Sequence, residues 1–187
     1  GGRKEGVFPP LRFGEGVSSA CYPDRMEPAP TPRPQTLFID ADACPVKDEA
    51  YRVATRYAMP VVVVANSTMR TPANPLVTMV VCPGFGAVDD WIAEQVAAGD
   101  VTVTADVPLA ARCVAKGGLV VDPKGRLLTD ANVGEALGIR DLMEGVRQAG
   151  GATGGPAPMT PKDRSRFLAT LDGAVHAGRK LRASRRR

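Results

Sequence analysis

Two aspartates, Asp40 and Asp42, follow directly after the apolar residues 37–39, with a single alanine between them. A short apolar run of this kind is typical of a buried strand, so both carboxylates are expected at a strand end. A carboxylate in that position needs a compensating partner, because an unpaired charge is costly to bury. The pattern therefore favours a cation-binding site over a purely structural role.

Further carboxylates follow other strand-like segments or begin predicted helices. Asp89 and Asp90 begin the helix-like "DDWIAEQVAAG", Asp106 ends the strand-like "DVTVTAD", and Asp122 lies in "GLVVDP". Each position also has an ordinary structural explanation, since aspartate caps helices and begins turns. Their recurrence together with Asp40 favours one shared acidic site.

Carboxylates crowded in this way repel one another unless a cation lies among them. Mg²⁺ or Mn²⁺ prefers oxygen ligands and keeps several waters, so we expect one of these ions as the cofactor. Such an ion can polarise a phosphate and activate water, which makes a phosphodiester the expected substrate. The predicted metal ligands are Asp40, Asp42, Asp89, Asp90 and Asp106, and all of these except Asp42 are the predicted catalytic residues.

The elements that must position these residues alternate between strand-like and helix-like segments. Apolar and β-branched runs such as "LFID", "PVVVVANS" and "PLVTMVVC" are strand-like. Helix-like segments lie between or after such runs, and two of them, "DDWIAEQVAAG" and "VPLAARCVAKGG", end in glycine. This order predicts an α/β fold with a mainly parallel sheet. Ligands bind such sheets at the carboxyl ends of the strands, where we expect the carboxylates to meet.

The last third of the chain is predicted to be mostly helical. Gly138 is expected to divide the helix-like segment 130–150 into two pieces, and "DPKG" before it is expected to form a turn. A final helix begins at "TPKD", a Thr cap followed by Pro. Its buried face should consist of Phe167, Leu168, Leu171 and Val175.

Composition divides the chain into three predicted regions: a disordered leader at 1–35 with seven prolines, one domain at 36–175, and a basic tail at 176–187. Residues 160–187 contain nine Lys/Arg and two Asp/Glu, a net charge of +7. Residues 36–159 contain 10 basic and 14 acidic residues, a net charge of −4. The basic end is either a phosphate-binding arm or a solvated terminus.

The cysteines and the single histidine limit the possible mechanisms. The four cysteines are scattered without metal-binding spacing, and no apolar run has the length of a membrane span. We therefore expect a soluble cytoplasmic protein with reduced thiols and no membrane partner. His176 is the only histidine, which disfavours triads and zinc hydrolase sites.

Five motifs resemble those of the bacterial YaiI/YqxD family of uncharacterised proteins: "FIDADACPVKDEA", "VVVVANS", "GFGAVDDWIAEQV", "VTADVPLAARCVAKGG" and "TGGPAPMTPKDR". The resemblance covers nearly all of residues 36–175. That family is similar to the PIN-like domains, whose T-x-D-x-x-L pattern is present in "TADVPL". The resemblance implies a three-layer α/β/α sandwich and, by analogy, a metal-dependent ribonuclease that acts on RNA.

The same resemblance implies a role for each acidic residue. Asp40 would be the metal ligand of the first strand, and Asp106 would be the third acid. The second acid would be Asp89 or Asp90, and this choice stays open, as does the number of metal ions. PIN enzymes usually supply the second acid from an earlier helix, and this chain departs from that pattern.

Substrate-binding residues are also implied. Asn66 and Ser67, together with Asp42, match the family motifs and are expected to line the same cavity. Lys47 is a further candidate for contacting a phosphate, although its position in the sequence slightly favours a solvated lysine.

Two rival functions fit parts of the pattern. The D-x-D at Asp40 and Asp42 is also typical of haloacid-dehalogenase-like phosphatases, in which Asp40 would be the nucleophile and Asp42 the acid/base. Against this, Asp89 and Asp90 precede Lys116, whereas that class has its lysine before its acidic pair. The other rival is an RNA-binding protein of the same fold without turnover.

Overall fold

The computed structural model describes residues 33–42, 44–149 and 158–185. Most of the predicted leader, residues 1–32, lies outside these described residues. Within the rest of that leader, the Gln35 side-chain amide donates to the carbonyl oxygens of Gly99 and Val175 at 2.8 and 3.1 Å. The folded domain therefore includes at least part of the segment predicted as leader.

The described residues form one six-stranded sheet with the order β3-β2-β1-β4-β5-β6. Its strands are β1 (Leu37–Asp40), β2 (Val61–Ala65), β3 (Val77–Val81), β4 (Val101–Val103), β5 (Leu119–Val121) and β6 (Leu127–Leu128). All pairs are parallel except β5 with β6. The chain builds outward from β1 to β3 and then returns to the other side of β1. The switch point between β1 and β4 is where such sheets bind ligands.

Helices cover both faces of the sheet. They are α1 (Lys47–Arg56), α2 (Ala87–Gln95), α3 (Val107–Ala115), α4 (Asp130–Gln148) and α5 (Pro161–Ser184). Side chains alternate along β1: Leu37 and Ile39 pack in the core that includes α1 and α5, whereas Phe38 packs with α2 and α3. The predicted three-layer α/β/α sandwich is confirmed. No helix among the described residues is both long and apolar enough for a membrane crossing.

Local sequence explains the central elements. β2 consists of four valines and an alanine, all buried, as expected for a strand covered on both faces. α3 begins after the cap residue Asp106 with Pro108 in its first turn, and α5 begins after Thr160 with Pro161. These caps fix where both helices start.

Two secondary-structure predictions were wrong. α4 is continuous through Gly138, because a single glycine in a helix interior costs only about 1 kcal/mol relative to alanine and does not break the helix. Strand β6 was missed, because two residues after the turn at 122–126 are too few to show a period of two.

Helix α5 continues beyond the predicted domain end. Phe167, Leu171 and Val175 are buried as predicted, and Leu168 is partly buried. The boundary predicted between residues 175 and 176 falls inside this helix. Farther along it, Arg182 contacts Asp100 at the amino end of β4, so this part of the basic end lies opposite the carboxyl edge.

Candidate functional site

The carboxyl ends of the adjacent strands β1 and β4 are joined by hydrogen bonds through Thr104. Asp40 is the last residue of β1, and Thr104 directly follows β4. The Thr104 hydroxyl donates to Asp40 Oδ2 at 2.8 Å, and its oxygen accepts the backbone N–H of Asp106 at 2.9 Å. The Thr104 hydroxyl therefore links the carboxylate of Asp40 with the backbone of Asp106 at the switch point.

Asp106 has a structural task as well. Its Oδ1 atom accepts the backbone N–H of Leu109 at 2.7 Å, which caps helix α3. Its Oδ2 atom accepts no hydrogen bond from the described residues, so one oxygen holds the helix and the other is available to a ligand.

Asp89 is the member of the adjacent acidic pair that joins this cluster. It is the third residue of α2 and is partly buried. Burial raises the pKa of Asp89 to about 6, with further raising contributions from the charges of Asp106 and Asp40. Asp89 is thus within electrostatic range of both other carboxylates.

Asp90 faces elsewhere. Its carboxylate is exposed and forms an ion pair with Arg112 of α3 at 2.8 Å. Consecutive helical residues project about 100° apart, so Asp89 and Asp90 cannot both face the carboxyl edge. The structure brings Asp89, and not Asp90, beside Asp40 and Asp106.

The electrostatics of Asp40 fit a crowded acidic site. Burial raises the pKa of Asp40, the Thr104 hydrogen bond lowers it, and the charges of Asp42 and Asp106 raise it. Mutual repulsion of this kind is relieved by a nearby cation or by protonation. The site thus favours binding of positive charge.

Asp42 is held by the end of β2. Its Oδ1 and Oδ2 atoms accept the backbone N–H of Asn66 at 3.1 and 3.0 Å, and Oδ2 also accepts the Asn66 side-chain amide at 2.7 Å. Asn66 and Ser67 are exposed beside it. The structure therefore places Asp42 at the rim of the cluster, with both oxygens engaged.

Lys47 turns back onto the chain that connects β1 to α1. Its ammonium group donates to the carbonyl oxygen of Ala41 at 3.0 Å. Lys47 is thus close to the cluster but already hydrogen bonded.

Cys44 lies in the same connection between β1 and α1. Burial raises the pKa of its thiol to about 11, so the thiol is neutral.

Comparison with known proteins identifies relatives over the same residues. The model of the uncharacterized YaiI/YqxD family matches residues 38–177. The chain belongs to the YaiI/YqxD family. No solved structure matches it.

Bacterial YaiI/YqxD relatives are close in sequence and similar in length. A UPF0178 protein of Rhodopseudomonas palustris (strain BisB5) is 50% identical over 159 residues, which are 84% of this chain and 94% of the relative. Another, of Gluconacetobacter diazotrophicus, is 52% identical over 151 residues, 80% of this chain and 98% of the relative. A third, of Azorhizobium caulinodans, is 52% identical over 145 residues, which are 77% of this chain and 91% of the relative.

The donor set of this YaiI/YqxD protein fits a hard divalent cation with a small number of protein ligands. Over the described ranges, no group of three His, Cys, Asp or Glu side chains is arranged to hold a metal. Mg²⁺, however, is commonly bound by one or two carboxylates together with waters and substrate phosphates. Oδ1 of Asp40 and Oδ2 of Asp106 accept no hydrogen bond from the described residues, so two carboxylate oxygens remain for such an ion.

Sequence reasoning missed the role of Thr104, which positions two of the three acids. Thr104 is the threonine of the T-x-D-x-x-L pattern, but that pattern was used only to assign a role to Asp106. Asp122, by contrast, holds the turn before β6, since its Oδ1 atom accepts the backbone N–H of Arg126 at 2.8 Å. Its turn role explains its position without a part in the site.

Proposed function

We propose that this YaiI/YqxD protein is a metal-dependent nuclease that hydrolyses RNA phosphodiester bonds at the carboxyl edge of its sheet. The observation that carries the proposal is the convergence of Asp40, Asp89 and Asp106 from three separate elements, close enough for Asp40 and Asp106 to raise the pKa of Asp89. The resemblance to PIN-like domains supports RNA as the substrate. The buried cysteines Cys44 and Cys113 are in no disulfide, which supports the cytoplasm as the proposed location.

Asp40 and Asp106 would hold the ion directly, with waters and the substrate phosphate as its other ligands. Asp89 would add negative charge beside it. A bound Mg²⁺ or Mn²⁺ would supply polarisation of the phosphodiester and lower the pKa of a water molecule. The carboxylate oxygens of Asp40 and Asp106 suit both ions.

The protein's own residues would orient the reactants and move the proton. Asp89, with a pKa of about 6, is largely ionised at neutral pH and basic enough to accept a proton from an attacking water. Thr104 keeps one oxygen of Asp40 directed toward β4. Asp42 holds Asn66 at the rim, where its amide can contact the substrate.

The engagement of Asp42 supports a nuclease over a phosphatase of the haloacid dehalogenase type. In that class Asp42 would exchange a proton with the leaving group. Here both of its oxygens accept hydrogen bonds from Asn66. Both oxygens are therefore already occupied, which disfavours contact of Asp42 with a leaving group.

Cleavage of labelled RNA tests the proposal. We expect the wild-type protein to cut RNA in Mg²⁺ or Mn²⁺ and not in EDTA. Asp40→Asn and Asp89→Asn should lose activity by at least about 100-fold, whereas Asp90→Asn, the matched control one residue away, should stay within a few-fold of wild type. Circular dichroism of each variant checks the fold.

Three results would overturn the nuclease proposal. RNA bound without cleavage under any divalent ion would indicate a binding protein. Hydrolysis of a small phosphomonoester through a trapped aspartyl intermediate at Asp40 would indicate a phosphatase. Equal activity in Asp89→Asn and wild type would remove the acidic cluster from the mechanism.

A further inference from the structure

Phe85 is the most exposed large apolar side chain among the described residues. Its relative exposure is 110%, compared with 41–68% for the other exposed large apolar residues, which all lie on α4 or α5. Water contact over a whole aromatic ring forgoes the stabilisation that burial would give. The ring therefore has no packing role in the described part of the chain and is accessible to a ligand.

The backbone around Phe85 holds the ring on a turn. Gly84 and Gly86 have φ angles of 120° and 72°, a region that residues with a Cβ rarely adopt. The backbone N–H of Ala87 donates to Gly84 O at 3.4 Å, and that of Asp90 donates to Gly86 O at 2.9 Å. The turn runs directly into α2, so Phe85 is carried by a structured element.

Phe85 is next to the acidic cluster. It precedes Gly86, the cap residue of α2, and Asp89 is the third residue of that helix. The connection from β3 to α2 follows the carboxyl end of a parallel strand, so Phe85 and the first turn of α2 with Asp89 lie at the same edge of the sheet. A strand of RNA bound at Asp89 can therefore extend to the ring.

Because the site is negatively charged, the contact that Phe85 can add is stacking on a base. Asp40, Asp89 and Asp106 repel phosphates, and the neighbouring basic residue Arg112 is already paired with Asp90. Stacking of a base on an aromatic ring does not depend on this charge and tolerates any base. Bases are free to stack in this way when the strand is unpaired.

We propose that Phe85 is a substrate-binding residue that stacks on a nucleobase of single-stranded RNA, beside the phosphodiester held at Asp89. This inference rests on the proposed nuclease function and adds the substrate class, an unpaired strand. It also makes Phe85 a contributor to affinity that is separate from the acidic residues.

Binding of a labelled oligouridylate and of an abasic oligomer with the same number of phosphates tests the inference. Asp40→Asn is used as the parent, so that RNA is not cut, and affinity is measured by fluorescence anisotropy with Mg²⁺. Phe85→Ala in this parent should weaken oligouridylate binding about tenfold or more, which corresponds to the loss of one stacked base. Abasic binding should not change.

Three further variants separate stacking from other effects. Phe85→Trp should retain affinity because it keeps an aromatic face, whereas Phe85→Leu should resemble Phe85→Ala. Leu142→Ala, a matched control on α4 with 68% exposure, should leave both affinities unchanged. Phe85→Ala in the otherwise wild-type protein should raise KM for RNA with a smaller effect on kcat.

The outcomes distinguish the two proposals. If the wild-type protein cleaves RNA and Phe85→Ala binds oligouridylate as tightly as its parent, the stacking role is wrong and the nuclease stands. If the wild-type protein neither binds nor cleaves RNA, both fall. If Phe85→Ala changes only the oligomeric state in gel filtration, the ring contacts a second copy and the stacking proposal is overturned.

Discussion

Thr104 is hydrogen bonded to Asp40 across the boundary between β4 and β1, with its hydroxyl 2.8 Å from Asp40 Oδ2. The same hydroxyl oxygen accepts the backbone N–H of Asp106 at 2.9 Å. One small side chain therefore fixes two of the three clustered acids. Thr104 itself is almost fully buried, so its hydroxyl has no competing contact with bulk water.

Replacing Thr104 by valine should damage both the site and the fold. The change removes the acceptor of a backbone N–H and the donor to Asp40, so we expect a loss of about 1–2 kcal/mol in the free energy of unfolding. The pKa of Asp40 should rise further, because a hydrogen bond to its ionised form is lost. Thr104→Ser keeps the hydroxyl and should retain activity and most stability. Urea unfolding and RNA cleavage measure both effects, and equal activity of the valine variant would contradict the positioning role.

The two tasks of Asp106 can be separated by substitution. Serine is also a good N-cap, so Asp106→Ser should keep the cap on α3 while removing the carboxylate. Asp106→Ala loses both and should cost about 1 kcal/mol in unfolding free energy. We expect both variants to lose cleavage but only the alanine variant to unfold at lower urea. An active Asp106→Ser protein would show that the aspartate serves only as a cap.

The fold was predictable because its elements have simple periodicities. Four buried valines in β2 and alternating segments elsewhere indicate a parallel sheet, and the carboxyl edge follows from topology. The break predicted in α4 gave Gly138 too much weight, because one glycine in a helix interior costs only about 1 kcal/mol relative to alanine.

The site was predictable only in part. Asp40 ends β1, and Asp106 follows the adjacent strand β4 by three residues, so topology alone brings them to the same edge. The choice of Asp89 over Asp90 depends on helix rotation, which the burial of Val88, Trp91 and Ile92 determines in three dimensions. Thr104 belongs to the T-x-D-x-x-L pattern, but the pattern does not predict its hydrogen bond to Asp40, since a threonine after a strand is equally compatible with a solvent contact.

The second half of α5 should contribute strongly to stability. Asp100 has a fully buried carboxylate that is paired with Arg33 and Arg182. Arg182→Ala leaves this charge with one cationic partner, and we expect a loss of about 2–3 kcal/mol in unfolding free energy. Lys180→Ala, an exposed residue two positions earlier on the same helix, is the matched control and should change stability by less than about 0.5 kcal/mol.

Removal of residues 176–187 extends the same test to the domain boundary. We expect the shortened chain to be less stable than Arg182→Ala, because it also loses the packing of Gly178 against Gly99 and Gln35. Thermal unfolding followed by circular dichroism measures the difference. Equal melting temperatures for the shortened and full chains would show that 176–187 is a dispensable tail.

The raised pKa of Asp89 predicts how stability depends on pH. Its pKa is about 6 in the folded protein and 3.8 when unperturbed, so between these values the folded state binds more protons than the unfolded state. The contribution of this group is therefore fully present below about pH 4 and is lost as the pH rises through 6. Asp89→Asn does not titrate, and at pH 7.5 in EDTA we expect it to be more stable than wild type by about 1 kcal/mol, a value reduced for partial solvent screening.

The comparison with Asp90 makes this prediction specific. Asp90→Asn removes only an exposed ion pair with Arg112, so its stability should fall by less than about 1 kcal/mol and keep the wild-type pH dependence. Adding Mn²⁺ should stabilise wild type and Asp90→Asn more than Asp89→Asn, since a ligand stabilises in proportion to its affinity for the folded state. Urea unfolding from pH 4 to 8 in EDTA measures the dependence. A parallel decline in Asp89→Asn and wild type would mean that Asp89 carries no repulsion from Asp40 and Asp106, and the cation site would lose its electrostatic basis.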